Sequence, residues 1–232
     1  NQSNVNRYIK NLNERDPSVI INCIGKIKQK KPSLKKLFWS NTILTNKFAK
    51  LLNSKHILVH PSTDCVFKGK KKINYNKNSK LDATDAYGLS KILAEKNLRR
   101  RPNTLIIRTS IVGLEIKTNK GLLSWFLKQS KNVYGYTDHF WNGITTLRWC
   151  EFLDTFLFNK KKNNFKKAKI VQIATREKYS KYEILKIFKK VFKKKILIKK
   201  KRVGYINRCL KSDFKIDNFY NQVKNLREFN KS

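Results

Sequence analysis

The 232-residue chain contains no methionine, only 8 glycines and 4 prolines, and 15 acidic residues against 54 lysines and arginines. Each shortage excludes something. With no methionine at position 1, the chain is expected to be a fragment of a longer translated product. With so few glycines it carries no G-x-x-G-x-x-G turn, so the backbone-amide cradle by which such a turn holds a phosphate is not written in this stretch. No apolar run approaches the roughly 18 residues of a membrane span. The polar residues Asn1 to Lys10 contain no signal-peptide core. No membrane partner is expected, and the expected location is the cytoplasm. Cys23, Cys65, Cys150 and Cys209 are widely spaced, without a C-x-x-C pair or a histidine at metal-ligand spacing. No metal site is expected, and the thiols are read as reduced.

The formal charge of +39 raises the question of nucleic acid or an anionic surface. Lysine far outnumbers arginine, and Asn, Ile, Phe and Tyr are abundant. These residues have A/T-rich codons, so base composition accounts for much of the bias. The densest runs are Lys160 to Lys169 and Lys189 to Arg202. Leading into the second, Ile184, Leu185, Ile187, Phe188, Val191 and Phe192 recur at helical spacing, which makes the intervening lysines a solvated face. Arginine-rich base readers, zinc-finger spacing and RNP-type aromatic patterns are all absent. No specific nucleic-acid partner is expected, only salt-sensitive attraction to polyanions.

Hydrophobic residues at 40% and aromatics at 12% leave ample material for a core. Short apolar runs at Val19-Ile20-Ile21, Ile57-Leu58-Val59, Leu105-Ile106-Ile107 and Ile170-Val171-Gln172-Ile173 read as strands buried on both faces of a parallel sheet. Helical windows lie between and beyond them at Leu34 to Leu52, Gly88 to Arg100 and Thr146 to Phe158. The rhythm predicts a doubly wound α/β fold. After Gly113 aromatics cluster from Trp125 to Trp141, so a smaller C-terminal lobe is expected, with a division into residues 1–113 and 114–232. A basic amphipathic helix and a short polar tail should close it. Lys68 to Lys80 reads as a polar loop.

In such a sheet, ligands bind beyond the carboxyl ends of the strands. The clusters Cys23-Ile24-Gly25, Ser62-Thr63-Asp64 and Thr109-Ser110 each follow a strand run directly. They are predicted to share one crevice. Tyr87 and Lys91 stand at i and i+4 at a helix start, where an ammonium would favour the phenolate and bring the tyrosine toward general-acid range. Thr63 could hydrogen-bond the same substrate oxygen. Spacing alone is weak here, since Tyr182…Lys186 and Tyr220…Lys224 share it. Only Tyr87…Lys91 follows a strand ending in Ser62-Thr63-Asp64 and opens a helix before another strand. Context selects it.

The stretch Ser62-Thr63-Asp64-Cys65-Val66-Phe67-Lys68-Gly69, followed by Tyr87-Gly88-Leu89-Ser90-Lys91 and Ala94-Glu95, resembles the extended short-chain dehydrogenase/reductases. Within them it is most similar to the dTDP-4-dehydrorhamnose reductase-like, sugar-nucleotide-binding branch. Trp141-Asn142-Gly143-Ile144-Thr145-Thr146-Leu147 resembles that branch's W-N-G-x-T-T-L element. Asn207-Arg208-Cys209-Leu210 resembles its D-R-S-L with two changes. The resemblance implies a Rossmann-like fold whose leading glycine-rich βαβ portion is missing, NADPH or NADH as cofactor, and a nucleotide-sugar substrate. It admits a homodimer. It casts Tyr87 as proton donor, Thr63 as its hydrogen-bonding partner, and Lys91 as the group that lowers the tyrosine pKa and binds the nicotinamide ribose. Cys23, Ile24, Gly25, Ser62, Arg108, Thr109 and Ser110 would line the cofactor along with Tyr87 and Lys91. Asp64, Cys65, Phe67, Trp141, Asn142, Gly143 and Thr145 would face the substrate. The reaction implied is reduction of a 4-keto nucleotide sugar in deoxysugar or polysaccharide synthesis. An epimerase of the same fold and a non-catalytic binding subunit remain alternatives. Dehydration is disfavoured, because Cys65 stands where dehydratases carry a glutamate.

Overall fold

The computed structural model describes residues 2–158 and 166–231, so the greater part of the Lys160 to Lys169 run lies outside the described residues. The chain divides into two compact units. One comprises Asn1–Phe67, Lys80–Arg108 and Leu157–Val171, and the other Lys68–Ser79, Thr109–Phe156 and Gln172–Ser232. The sequence reading divides the chain after Gly113, with interleaved elements in the lobe beyond it.

The first unit runs α1 (Gln2–Glu14), β1 (Val19–Ile21), α2 (Leu34–Phe38), a π-helical turn (Trp39–Ile43), α3 (Leu44–Leu51), β2 (Ile57–Pro61), α4 (Ala86–Leu98) and β3 (Thr104–Arg108). A fourth strand, Lys169–Gln172, completes a sheet of order β1, β2, β3 and then this strand. The first three pair in parallel, Val19 facing Ile57 and Leu58 facing Thr104. This is the α/β sheet with flanking helices that the sequence predicts. Every residue of β3 is buried, which is why Leu105-Ile106-Ile107 reads as a continuous apolar run. On β1, by contrast, Val19 and Ile21 are 41% and 40% exposed.

The core of this unit joins Ile9 and Leu12 of α1 to Leu44 and Phe48 of α3, Leu58, Leu98 and Ile106. The sequence reading assigns no element to the polar stretch Asn1 to Lys10. It becomes helix because Val5, Ile9 and Leu12 fall on one face. Burying a side chain such as Ile9 contributes roughly 1.5–3 kcal/mol.

The second unit contains β4 (Ile111–Val112), α5 (Leu122–Lys128), β5 (Val133–Tyr136), β6 (His139–Trp141), β7 (Ile144–Thr145) and α6 (Thr146–Phe158). After β8, the strand Lys169–Gln172 already described, come β9 (Tyr179–Ser180), α7 (Lys181–Val191), β10 (Ile198–Lys201), β11 (Ile206–Asn207) and α8 (Phe219–Phe229). Its short strands make three small sheets, β5 with β10, β6 between β9 and β11, and β4 with β7. Phe126, Ile184, Leu185, Phe188, Phe219, Val223 and Leu226 form its core. Helix α7 opens with a capping box between Ser180 and Glu183, and Lys186, Lys189 and Lys190 stay exposed on it, as a solvated face requires.

The polar tail of the sequence reading is instead helix α8. The Asn218 side chain caps it by accepting from Asn221 N at 2.9 Å, and Phe219, Val223 and Leu226 bury one face. The loop after Phe67 belongs to this unit through Tyr75, whose ring is 1% exposed. The Tyr75 backbone bonds Cys209 O and Lys211 N at 2.8 and 2.7 Å.

Candidate active site

In the first unit, β1 and β2 lie side by side and parallel, so the segments after Ile21 and Pro61 emerge at the same end of the sheet. After β2 the chain enters a 3-10 turn, Asp64–Val66, capped by Thr63, whose Oγ1 accepts from Cys65 N at 3.1 Å and donates to Asp64 Oδ1 at 3.0 Å. Helix α4 starts against this turn. Asp85 caps it by accepting from Gly88 N at 3.0 Å. Gly88 is needed because a Cβ there would meet Cys65 O at 2.5 Å and Ala83 Cβ at 2.4 Å. That close approach sets Tyr87 beside Thr63, whose side chain opposes the rise in the phenol's pKa.

Lys91, one turn further along α4, is 8% exposed, and its Nζ donates to Pro61 O at 3.0 Å. A Cβ on Gly25 would sit 4.0 Å from that Nζ and 3.3 Å from Asn41 Oδ1. Thr63, Tyr87, Lys91 and the Gly25 backbone thus gather at the carboxyl ends of β1 and β2, as the sequence reading expects of this end of the sheet. Thr109 and Ser110 follow β3 in the chain and belong to the second unit.

The electrostatics differ from the sequence expectation. Burial pushes the Tyr87 phenol above its ordinary value; Cys65, Asp64 and Asp85 add to this, and only the Thr63 hydrogen bond opposes it. Lys91 is not among the groups that shift it. The Lys91 ammonium is itself lowered to about 8 by burial, against an upward pull from Glu95. His60 on β2 is 1% exposed, and neither ring nitrogen has a hydrogen-bond partner. Burial and the Lys91 charge hold it well below its ordinary pKa, and so neutral.

Several expected ligand contacts are occupied otherwise. Arg108 lies wholly inside the first unit, with Nη2 2.7 Å from Glu95 Oε2 and Nε 2.9 Å from Glu95 Oε1. Ser62 Oγ donates to the same carboxylate at 2.6 Å. The guanidinium also lies 5.6 Å from the Phe67 ring centroid, and Phe67 is fully buried. Ser62, Arg108 and Phe67 therefore bind strand ends to α4 rather than presenting side chains to a ligand. Asp64 is 7% exposed and holds the Thr63 hydroxyl. Cys65 is half-buried, while Cys23 and Ile24 are exposed.

In the second unit the W-N-G side chains are scaffold. Trp141 packs edge-on against Phe219 at 4.9 Å. Asn142 Nδ2 donates to Thr175 O and Leu210 O, both at 2.9 Å, and its Oδ1 accepts from Leu210 N at 2.9 Å. A Cβ on Gly143 would lie 2.0 Å from Ser110 O. Thr145 is fully buried and accepts from Arg148 N at 3.2 Å. Thr109 is 2% exposed, and its Oγ1 has no hydrogen-bond partner.

Asn41 was missed by the sequence reading. It sits in the π-helical turn, accepts from Lys26 N at 2.8 Å, and donates to Lys26 O and Ser90 Oγ at 3.0 Å each. It ties the loop after β1 to α4 one residue before Lys91. An asparagine within an otherwise helical apolar window was the available signal.

The family description "RmlD substrate binding domain" matches residues 1–195. The chain belongs to this family. No curated protein sequence matches it. Among solved structures it resembles dTDP-4-dehydrorhamnose reductase from Bacillus anthracis in complex with NADP. That match has 16% identity and a TM-score of 0.81, covering 100% of this chain and 86% of the other. A hypothetical dTDP-4-dehydrorhamnose reductase from Sulfolobus tokodaii is 24% identical with a TM-score of 0.71, covering 93% and 80%. dTDP-glucose 4,6-dehydratase from Bacillus anthracis in complex with NAD is 16% identical with a TM-score of 0.74, covering 98% and 77%. At these identities the likeness establishes the Rossmann-like fold. Among the described residues no helix is long and apolar enough to cross a membrane.

Proposed function

We propose that this chain carries the proton-donating centre of an NAD(P)H-dependent reductase acting on a 4-keto nucleotide sugar. The observation that carries the reading is the gathering of Thr63 and Tyr87 at the end of β2, with Lys91 held one turn away on Pro61 O. Family membership and the NADP- and NAD-bound neighbours support it.

The residues present fit the nicotinamide-ribose end of such a cofactor. The Gly25 backbone lies beside Lys91 Nζ, where a Cβ would already press on Asn41 Oδ1 at 3.3 Å, and Asn22 Nδ2 is a buried donor without an acceptor among the described residues. Lys91, Asn22 and the Cys23–Gly25 backbone would hold it. The glycine turn that would take its pyrophosphate is not in this sequence. When bound, the nicotinamide supplies the hydride. Tyr87 Oη carries the proton delivered to the substrate's carbonyl oxygen, and its raised pKa keeps it in the acid form near neutrality. Thr63 fixes the phenol's direction, and Asp64 fixes Thr63.

The test is Tyr87→Phe in the full chain, with dTDP-4-dehydrorhamnose and NADPH. Loss of nicotinamide oxidation by about 100-fold or more, with cofactor affinity retained, is expected for removal of a general acid. Near-normal turnover in the variant would refute the assignment. Interconversion of sugar epimers without net nicotinamide oxidation would favour the epimerase. Sugar-nucleotide binding with no chemistry would favour a binding subunit.

A further inference from the structure

At the other end of the same sheet, where the chain enters β2 and β3, lies a cavity of about 740 Å³ whose lining includes Lys50, Lys96, Arg100, Arg101, Ser54 and Asn97. No acidic residue lines it, and among the described residues none of the four cations pairs with a carboxylate. Part of this has a plain cause. Helices α3 and α4 end here, and lysines near their last carbonyls offset the helix dipoles.

Arg101 shares in this, its Nη2 donating to Leu52 O and Asn53 O at the C-terminal end of α3. It is 5% exposed, and its Nη1 and Nη2 donate only to uncharged oxygens. These are Pro102 O, Asn103 O, Thr104 Oγ1, Leu52 O, Asn53 O and His56 O, at 2.9 to 3.3 Å. Nε is buried with no acceptor among the described residues. Carbonyls satisfy hydrogen bonds but do not neutralise charge. A buried guanidinium therefore lines a cavity ringed by three more cations, with one donor unanswered.

We propose that this cavity is a binding site for a small phosphate-bearing anion, of the size of pyrophosphate or a nucleoside diphosphate. Lys50, Lys96 and Arg100, all exposed, would meet its oxygens from the rim while Arg101 supplies a fixed charge at the wall. Phosphate chemistry suits the donor set, since ammonium and guanidinium groups both bind phosphate oxygens. The volume lies within the common range for small-ligand pockets, about 300–1,000 Å³. The proposal does not depend on the reductase reading, because Tyr87 and Lys91 stand at the opposite ends of the strands.

The experiment is calorimetric titration of the full chain with pyrophosphate at fixed ionic strength. A chain of charge +39 attracts any anion, so the control must match the charge change. One variant carries Lys50→Gln, Lys96→Gln and Arg100→Gln; the other carries Lys70→Gln, Lys71→Gln and Lys72→Gln on an exposed loop of the second unit. All six side chains are exposed, so both variants should fold, which their thermal midpoints without ligand check. Saturable binding weakened about tenfold in the first and less than about twofold in the second is expected. Equal weakening in both, or no saturable binding by the parent, overturns the site. Binding lost in Lys91→Met places the anion at the reductase centre and also overturns it. ADP binding more tightly than pyrophosphate at the same residues identifies a nucleotide; equal affinity identifies free polyphosphate. Either supports the site.

Discussion

Replacing Glu95 by alanine removes the carboxylate that holds Arg108 inside the first unit. Both side chains are fully buried and their closest atoms lie 2.7 Å apart. Breaking one partner out of a buried ion pair costs about 3–5 kcal/mol, since the remaining charge cannot reach water. Ser62 Oγ, which donates to Glu95 at 2.6 Å, also loses its acceptor, adding about 1 kcal/mol. The sum, about 4–6 kcal/mol, is comparable to the whole stability of many domains, about 5–15 kcal/mol.

Urea unfolding of Glu95→Ala should therefore show a midpoint shifted far down or no cooperative transition. The paired variant Glu95→Leu with Arg108→Met removes both charges and should recover most of the loss, to within about 2 kcal/mol of the parent. The reasoning is refuted if Glu95→Ala costs less than about 1 kcal/mol, or if the double variant is as unstable as the single.

Gly88→Ala should lower stability by about 1–3 kcal/mol, because its Cβ meets backbone and a methyl that cannot swing away; turnover should fall with it as α4 lifts from Thr63, and unchanged activity in a destabilised variant would break that link. Lys91 gives a pH signature. Its folded value of about 8 lies below the ordinary 10.5, so below pH 8 both states are charged and the burial penalty is fully present. Between about 8 and 10.5 the folded state has released a proton that the unfolded state keeps, and stability rises with pH. Lys91→Met should accordingly stabilise the chain near pH 7 by up to about 3 kcal/mol, an advantage that shrinks as pH climbs through that window; an advantage independent of pH would contradict the burial argument. Asn142→Ala loses three hydrogen bonds, two through Nδ2 and one through Oδ1. It should cost about 2–4 kcal/mol in thermal or urea unfolding, and a variant that raises KM without losing stability would return Asn142 to the substrate.

The sheet was legible because its strands are apolar on both faces, and β3 is the clearest case. Helix α4 was legible because its Tyr87…Lys91 pair follows the strand run ending in Ser62-Thr63-Asp64 and precedes another strand. Helices α1 and α8 were not read, although Val5, Ile9, Leu12 and Phe219, Val223, Leu226 repeat at i, i+4 and i+7. Each has only three apolar residues on its buried face, too narrow a stripe to stand out from the surrounding Asn and Lys. Their burial depends on partners distant in sequence, and periodicity does not name partners.

The site was legible in a different sense. Motif resemblance locates residues but does not separate those that meet a ligand from those that hold the motif in place. Ser62, Phe67, Arg108, Trp141, Asn142 and Thr145 share their motifs with Thr63, Tyr87 and Lys91, yet their side chains are engaged in internal contacts. Asn22 Nδ2, the His60 ring and Thr109 Oγ1 are the reverse case, buried and unanswered among the described residues. An unpaired buried polar group costs about 1–3 kcal/mol, so these three are among the places where the fold gives up stability. One of them, Asn22, directly follows β1, at the end of a parallel sheet where ligands bind.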